Sequence, residues 1–123
     1  MDNKLIYIAS PYAGDVEANV AFAKLACRFA ISQGHTPIAV HLLYPQMLED
    51  GDPAERALGL RLGHRVLGAC DELWACGDRV SSGMKREIEE AKSLGVPVRW
   101  VPEQELRETM TQEAASAPCL AMT

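Results

Sequence analysis

The sequence predicts a single-domain α/β sandwich built on a four- to five-stranded parallel sheet. Three observations lead there. Short runs of strand formers alternate strictly with helical stretches, the helical stretches carry start and stop signals, and the 123 residues suit one domain with one core. Strand-helix-strand units of this kind connect by right-handed crossovers, and sheets built from them bind ligands at the carboxyl ends of their strands.

Leu5, Ile6, Tyr7, Ile8 and Ala9 make the first strand, which Pro11 and Gly14 stop. Asp15 is placed to cap a helix. Val16, Val20, Ala23, Leu25, Cys27, Phe29 and Ala30 supply its apolar positions over about five turns, and Gly34 can end it in the left-handed conformation. Residues 36–40 form a second strand. Residues 41–51 are irregular and unusually apolar for a loop, and loops of that length in compact domains are often functional. Asp52, Pro53 and Glu55 then combine a capping acid, proline at the first helical position and an acid three residues after the cap, opening a helix to about Gly68. Residues 73–76 form a third strand, 83–94 a third helix and 97–101 a fourth strand, with Trp74 and Trp100 expected in the core. Pro102 and Glu103 open a short final helix. The domain is expected to occupy residues 1–112, and residues 113–123, which lack periodicity, to be a mobile tail.

Composition excludes several classes. Nearly half the residues are apolar and about a quarter charged, as in a globular protein, and 17 acidic against 12 basic residues argue against a nucleic-acid polymer or an anionic membrane as partner. No apolar stretch approaches the roughly 20 residues that span a bilayer. Met1 to Lys4 lead into a strand without signal-peptide flanks. The four cysteines form no Cys-x-x-Cys pair; three of them lie in apolar segments and suit small buried residues in a reducing compartment. A cytoplasmic location is expected, with no metal or organic cofactor. Neither a Gly-x-Gly-x-x-Gly nor a Walker loop is present.

The strand-end rule brings together residues 10–14, 41–51 and 77–83. On a helical wheel at roughly 100° per residue, Met84, Ile88, Ala91 and Gly95 share one face of the third helix, and Glu87 alone among the charges falls inside that apolar arc. As an ordinary helix residue Glu87 would reach solvent or pair with Arg86 or Lys92. Buried among apolar neighbours, its carboxyl would be pushed up or would need a partner. Ser81 and Ser82 are candidate helix caps, and with the backbone N–H groups of Gly83 and Met84 they also make a candidate cradle for phosphate or carboxylate. Ser10, Ala13 and Gly14 offer a second such turn. Among the histidines, His41 at a strand end is the candidate pocket residue; Asp71 suits a turn or cap.

Tyr7-Ile8-Ala9-Ser10-Pro11-Tyr12-Ala13-Gly14, Cys70-Asp71-Glu72-Leu73-Trp74 and Ser81-Ser82-Gly83-Met84-Lys85-Arg86-Glu87-Ile88 resemble the nucleoside 2-deoxyribosyltransferase superfamily, and most closely a small bacterial and phage branch of it (DUF4406-like). The resemblance extends to about Val101, and the spacing of Ser81, Gly83 and Glu87 is its most specific part. It implies a Rossmann-like, flavodoxin-like fold, and Glu87 as the nucleophile that attacks the anomeric carbon of a nucleoside or its 5′-monophosphate. In such relatives Asp six residues before the Glu accompanies free nucleosides and Ser accompanies 5′-monophosphates; this chain has Ser81. Tyr7, Ser10, Tyr12, Gly14, His41, Ser81, Ser82 and Gly83 would bind phosphate, sugar and base. A homo-oligomer is implied too, because a neighbouring subunit often completes the pocket in the family. Active relatives usually carry Asp eight residues before the position of Asp71, where this chain has Gly63; His64 or Asp71 then stands in, or the domain is a non-catalytic nucleotide-binding or sensing module.

Overall fold

The computed structural model describes residues 2–116. Strand β1 (Leu5–Ala9) leads into helix α1 (Val16–Ser32), strand β2 (Thr36–Ile38), two 3-10 turns (Val40–Leu42 and Tyr44–Gln46), helix α2 (Pro53–Ala69), strand β3 (Glu72–Cys76), helix α3 (Ser82–Leu94), strand β4 (Val98–Val101) and helix α4 (Glu103–Ser116). The four strands form one parallel sheet in the order β2-β1-β3-β4. This is the expected α/β architecture. After β1 the chain builds outward to β2, then returns to add β3 and β4 on the other side. The crevice between the carboxyl ends of β1 and β3 is therefore the topological switch point, where open α/β sheets hold ligands.

Strand periodicity divides the core in two. Tyr7, Ala9, Leu73 and Ala75 face the layer holding Leu67 of α2 and Met84, Ile88 and Ala91 of α3. Ile6, Ile8, Trp74 and Cys76 face Ala26, Phe29 and Ala30 of α1 and Leu106 of α4. Tyr7 is thus on the α2/α3 side by its register alone.

The predicted helix signals operate locally. The Asp15 carboxylate accepts from the Ala18 N–H, the Asp52 carboxylate from that of Ala54, and the Ser81 hydroxyl from that of Met84. Gly95 ends α3 at φ +74°, and Gly34 follows α1 at φ +87°. Asp71 caps the strand layer, its Oδ2 accepting from the Leu5 N–H at 2.8 Å.

Other details differ from the expectation. Strand β2 stops at Ile38, because the chain turns into 3-10 geometry at Val40. Glu55 does not bond back to the Asp52 N–H; its carboxylate accepts from Glu49 instead and pins the incoming loop. Trp100 is 55 % exposed rather than in the core, since β4 is an edge strand with a neighbour on one side only. Helix α4 continues to Ser116, past the expected end near Gln112, and residues 117–123 of the anticipated tail lie outside the described residues, as does Cys119. Cys70 and Cys76 are buried and Cys27 partly so, all as free thiols.

The division of α2 into a core face and a cavity face makes a stability prediction. Leu67→Ala, at a fully buried position, should cost about 2–5 kcal/mol in urea unfolding, whereas Leu60→Ala, on the exposed side, should cost under about 1 kcal/mol. Equal losses at the two positions would contradict the division.

Candidate active site

A cavity of about 200 Å³ opens at the switch point, with room for several waters and so for an organic ligand rather than a lone ion. Four segments wall it. Tyr7, Tyr12 and Ala13 come from β1 and the turn after it; Val40, His41, Tyr44, Pro45, Leu48 and Asp50 come from the irregular segment. Helix α3 supplies Ser81, Ser82, Gly83, Arg86, Glu87 and Glu90. Helix α2 supplies Glu55, Arg56, Gly59, Leu60, Gly63 and His64.

Glu87 is 4 % exposed and sits between the apolar residues Met84, Ile88 and Ala91, as the wheel requires. The Tyr7 hydroxyl, from the inner strand β1, donates a hydrogen bond to its Oε2. Oε1 is buried and meets no donor among the described residues. A buried acceptor without a donor is costly and therefore uncommon, and here it belongs to a side chain that lines a cavity. Burial pushes the Glu87 carboxyl up to about 7, against the opposing pull of the Tyr7 hydrogen bond and the Arg86 charge. Burial and the Glu87 charge push the Tyr7 phenol well above its usual value, so it stays a donor.

His41 Nε2 lies 3.9 Å from Glu87 Oε2, and the imidazole stacks on Tyr12 with centroids 5.1 Å apart and planes 18° from parallel. Burial and the neighbouring Arg86 charge hold this histidine below its usual value, so it meets Glu87 as a neutral ring. At the start of α3, Ser81 Oγ takes the Met84 N–H, a donor the sequence had assigned to the cradle. The N–H groups of Ser82 and Gly83, in the first turn, are those that helix geometry leaves without an internal acceptor.

Of the nine residues expected at the site, seven line this cavity: Tyr7, Tyr12, His41, Ser81, Ser82, Gly83 and Glu87. Ser10 and Gly14 do not. Ser10 is 2 % exposed where the chain leaves the sheet, and Gly14 takes φ +99° one residue beyond Ala13, where its role is to turn the chain. Of the α2 wall the family resemblance singles out Gly63 and His64, and the sequence assigns none of its other residues to the site. The α2 cavity residues fall at positions 55, 56, 59, 60, 63 and 64, a single helical stripe in which Gly59 and Gly63 stand four residues apart. A Cβ at Gly63 would lie 3.6 Å from the Tyr7 hydroxyl, so α2 presents bare backbone to the Tyr7–Glu87 pair. Among the described residues no group of three or more His, Cys, Asp or Glu side chains is arranged to hold a metal ion, and no helix is long and apolar enough to cross a membrane.

A family model described as "Domain of unknown function (DUF7768)" matches residues 4–101. It leaves the narrower DUF4406-like placement an expectation. No curated protein matches the chain. Among solved structures, the chain is similar to a 2-deoxyribosyltransferase from the psychrotolerant bacterium Bacillus psychrosaccharolyticus, with TM-score 0.67 and 21 % identity over 80 % of this chain and 72 % of that one. It is also similar to a 2-deoxyribosyltransferase from Leishmania mexicana, with TM-score 0.58 and 17 % identity over 80 % of this chain and 64 % of that one. The chain therefore has the fold of 2-deoxyribosyltransferases.

The raised Glu87 carboxyl has a consequence for stability with a definite sign. A carboxyl that binds its proton more tightly folded than unfolded stabilises the fold below its unfolded value near 4.5, and that contribution is lost as pH rises through about 7. Relative to Glu87→Gln, the wild type should lose up to about 3 kcal/mol between pH 5 and pH 8. Paired thermal melts check this, and a gap that does not change with pH would refute it.

Proposed function

This chain belongs to the DUF7768 family, described as a domain of unknown function, and we propose that it cleaves, or transfers across, the N-glycosidic bond of a (deoxy)nucleoside 5′-monophosphate or related nucleotide. The observation that carries the reading is the Glu87 carboxylate of the cavity wall, held through Oε2 by Tyr7, with Oε1 buried and without a donor among the described residues. A carboxylate so placed is poorly solvated and fixed in direction, as a nucleophile toward an oxocarbenium-like carbon should be. In the first step a Glu87 carboxylate oxygen bonds to the anomeric carbon, the carbon–nitrogen bond breaks, and its electron pair leaves with the base. In the second, water or another base takes the sugar from the resulting ester.

The other cavity residues suit the remaining parts of such a substrate. The Ser82 and Gly83 N–H groups, the Ser81 hydroxyl and the Arg86 guanidinium suit a 5′-phosphate at the positive end of α3. The Tyr12–His41 stack offers a flat face to base or sugar. The similarity in fold to two 2-deoxyribosyltransferases supports the substrate class. A homo-oligomer in which a second copy closes the exposed rim at Asp50 and Arg56 belongs to the same proposal. Gly63 favours the second reading, a module that binds a nucleotide without turning it over, because the α2 backbone brings no carboxylate to the Tyr7–Glu87 pair.

Incubation with a panel of nucleosides and 5′-monophosphates, with free base as the readout, separates these readings. The wild type should release base, Glu87→Ala should release none above background, and kcat/KM should rise with pH through about 7 as Glu87 ionises. Thermal stabilisation by a nucleotide without any release of base would select the binding module. Ser81→Asp keeps a good helix cap but sets a carboxylate where the phosphate is proposed to sit, and should weaken turnover of 5′-monophosphates at least about tenfold relative to free nucleosides.

A further inference from the structure

The cavity holds a second pair of titratable side chains that the steps above do not use. His64 follows Gly63 on α2, and Glu90 lies one turn beyond Glu87 on α3; both line the cavity. His64 Nδ1 is 3.0 Å from Glu90 Oε2. The Arg86 guanidinium approaches the other Glu90 oxygen at 3.6 Å, so the carboxylate is held from two sides. A carboxylate against Nδ1 fixes the tautomer that carries its proton there and leaves the Nε2 lone pair available, which is how an acid orients an imidazole that acts as a base.

The proposed reaction lacks a group for this task. Glu87 is esterified in the intermediate and is itself the leaving group of the second step. Tyr7 remains a donor. His41 stacks on Tyr12 and its Nε2 faces the Glu87 oxygen, with Asp50 acting on it through charge alone, whereas His64 has a carboxylate hydrogen-bonded to its ring. Gly63 leaves space beside Tyr7, and the next side chain along α2 is the imidazole of His64.

We infer that His64, oriented by Glu90, is the general base that resolves the glycosyl-enzyme ester, an inference that rests on the glycosyl-transfer reading above. The oxygen of a water bonds to the anomeric carbon while a proton of that water passes to His64 Nε2. The bond from the carbon to Glu87 breaks, its electron pair returns to the carboxylate, and the sugar leaves with a hydroxyl at C1. His64 then loses the proton to solvent. Glu90 is a positioning residue, acting through His64.

The full-length chain is mixed with 2′-deoxynucleoside 5′-monophosphates of the four common bases in rapid-quench and steady-state assays, with intact-protein mass measured at the end of the burst. His64 is half exposed, so His64→Gln should keep the wild-type melting temperature within a few degrees. It should release about one equivalent of base per chain at nearly the wild-type rate and then slow about 10²- to 10⁴-fold. The mass of the deoxyribose phosphate should stay on the protein. Azide, a nucleophile that needs no deprotonation, should restore turnover and yield the glycosyl azide. Glu90→Gln should show the same burst, a smaller slowing and the same rescue. Steady-state turnover of His64→Gln equal to wild type, or loss of its burst while the wild type turns over, would overturn the role of His64 and leave the nucleophile reading standing. Failure of the wild type itself to release any base would remove the underlying reading and this inference with it.

Discussion

The hydrogen bond from Tyr7 to Glu87 joins the inner strand β1 of the sheet to the first turns of α3, across a layer that is otherwise apolar. Burying a carboxyl among Met84, Ile88 and Ala91 is unfavourable unless something donates to it, and the Tyr7 phenol donates to one of its two oxygens. The bond ties α3 to β1 and fixes the direction of the Glu87 side chain, leaving its other oxygen without a donor among the described residues. Tyr7 can play this part because it alternates onto the α2/α3 face of β1 with Ala9. Packing and site are therefore the same contact viewed from two sides.

That contact sets two demands against each other. A nucleophilic carboxylate has to be ionised, and burial resists ionisation. The Glu87 carboxyl ends near 7, where neither form dominates at neutral pH, because the cost of burial is partly offset by the Tyr7 donor and the Arg86 charge. The fold tolerates a destabilising ionisation at the position where the chemistry is proposed to need one. Arg86 takes part on both sides of the cavity, shaping the charge around Glu87 and His41 and bracing Glu90 against His64.

Much of the fold was legible because local rules governed it. Asp15, Asp52 and Ser81 cap the helices they were expected to cap, and Gly34 takes the left-handed backbone expected of it, since a cap needs only the residues of its own turn. Glu87 stood out because a helical wheel already separates core from surface on α3. Other features escaped for reasons of distance. The alternative partners for Glu87 were Arg86 and Lys92, its neighbours along the chain, whereas the partner it has is 80 residues away on another element. The Glu55 carboxylate goes to Glu49 because the preceding loop folds back over it, and Trp100 is exposed because β4 ends the sheet. Apart from Gly63 and His64, which the family resemblance singled out, the α2 wall was hidden because a glycine such as Gly59 has no side chain to place on a wheel.

By itself the sequence determined the alternation of strands and helices, their caps, and the presence of one acid on an apolar helical face. Those properties depend on neighbours within a few positions and on periods of two and 3.6 residues, which a linear string carries in full. Only the tertiary structure decided that Tyr7 would meet that acid, that one of its oxygens would be buried without a donor among the described residues, and that α2 would bring Gly63 and His64 to the same cavity. These depend on which strand lies beside which and on how far each helix stands from the sheet, and the crossovers and packing set those distances only once the chain has closed.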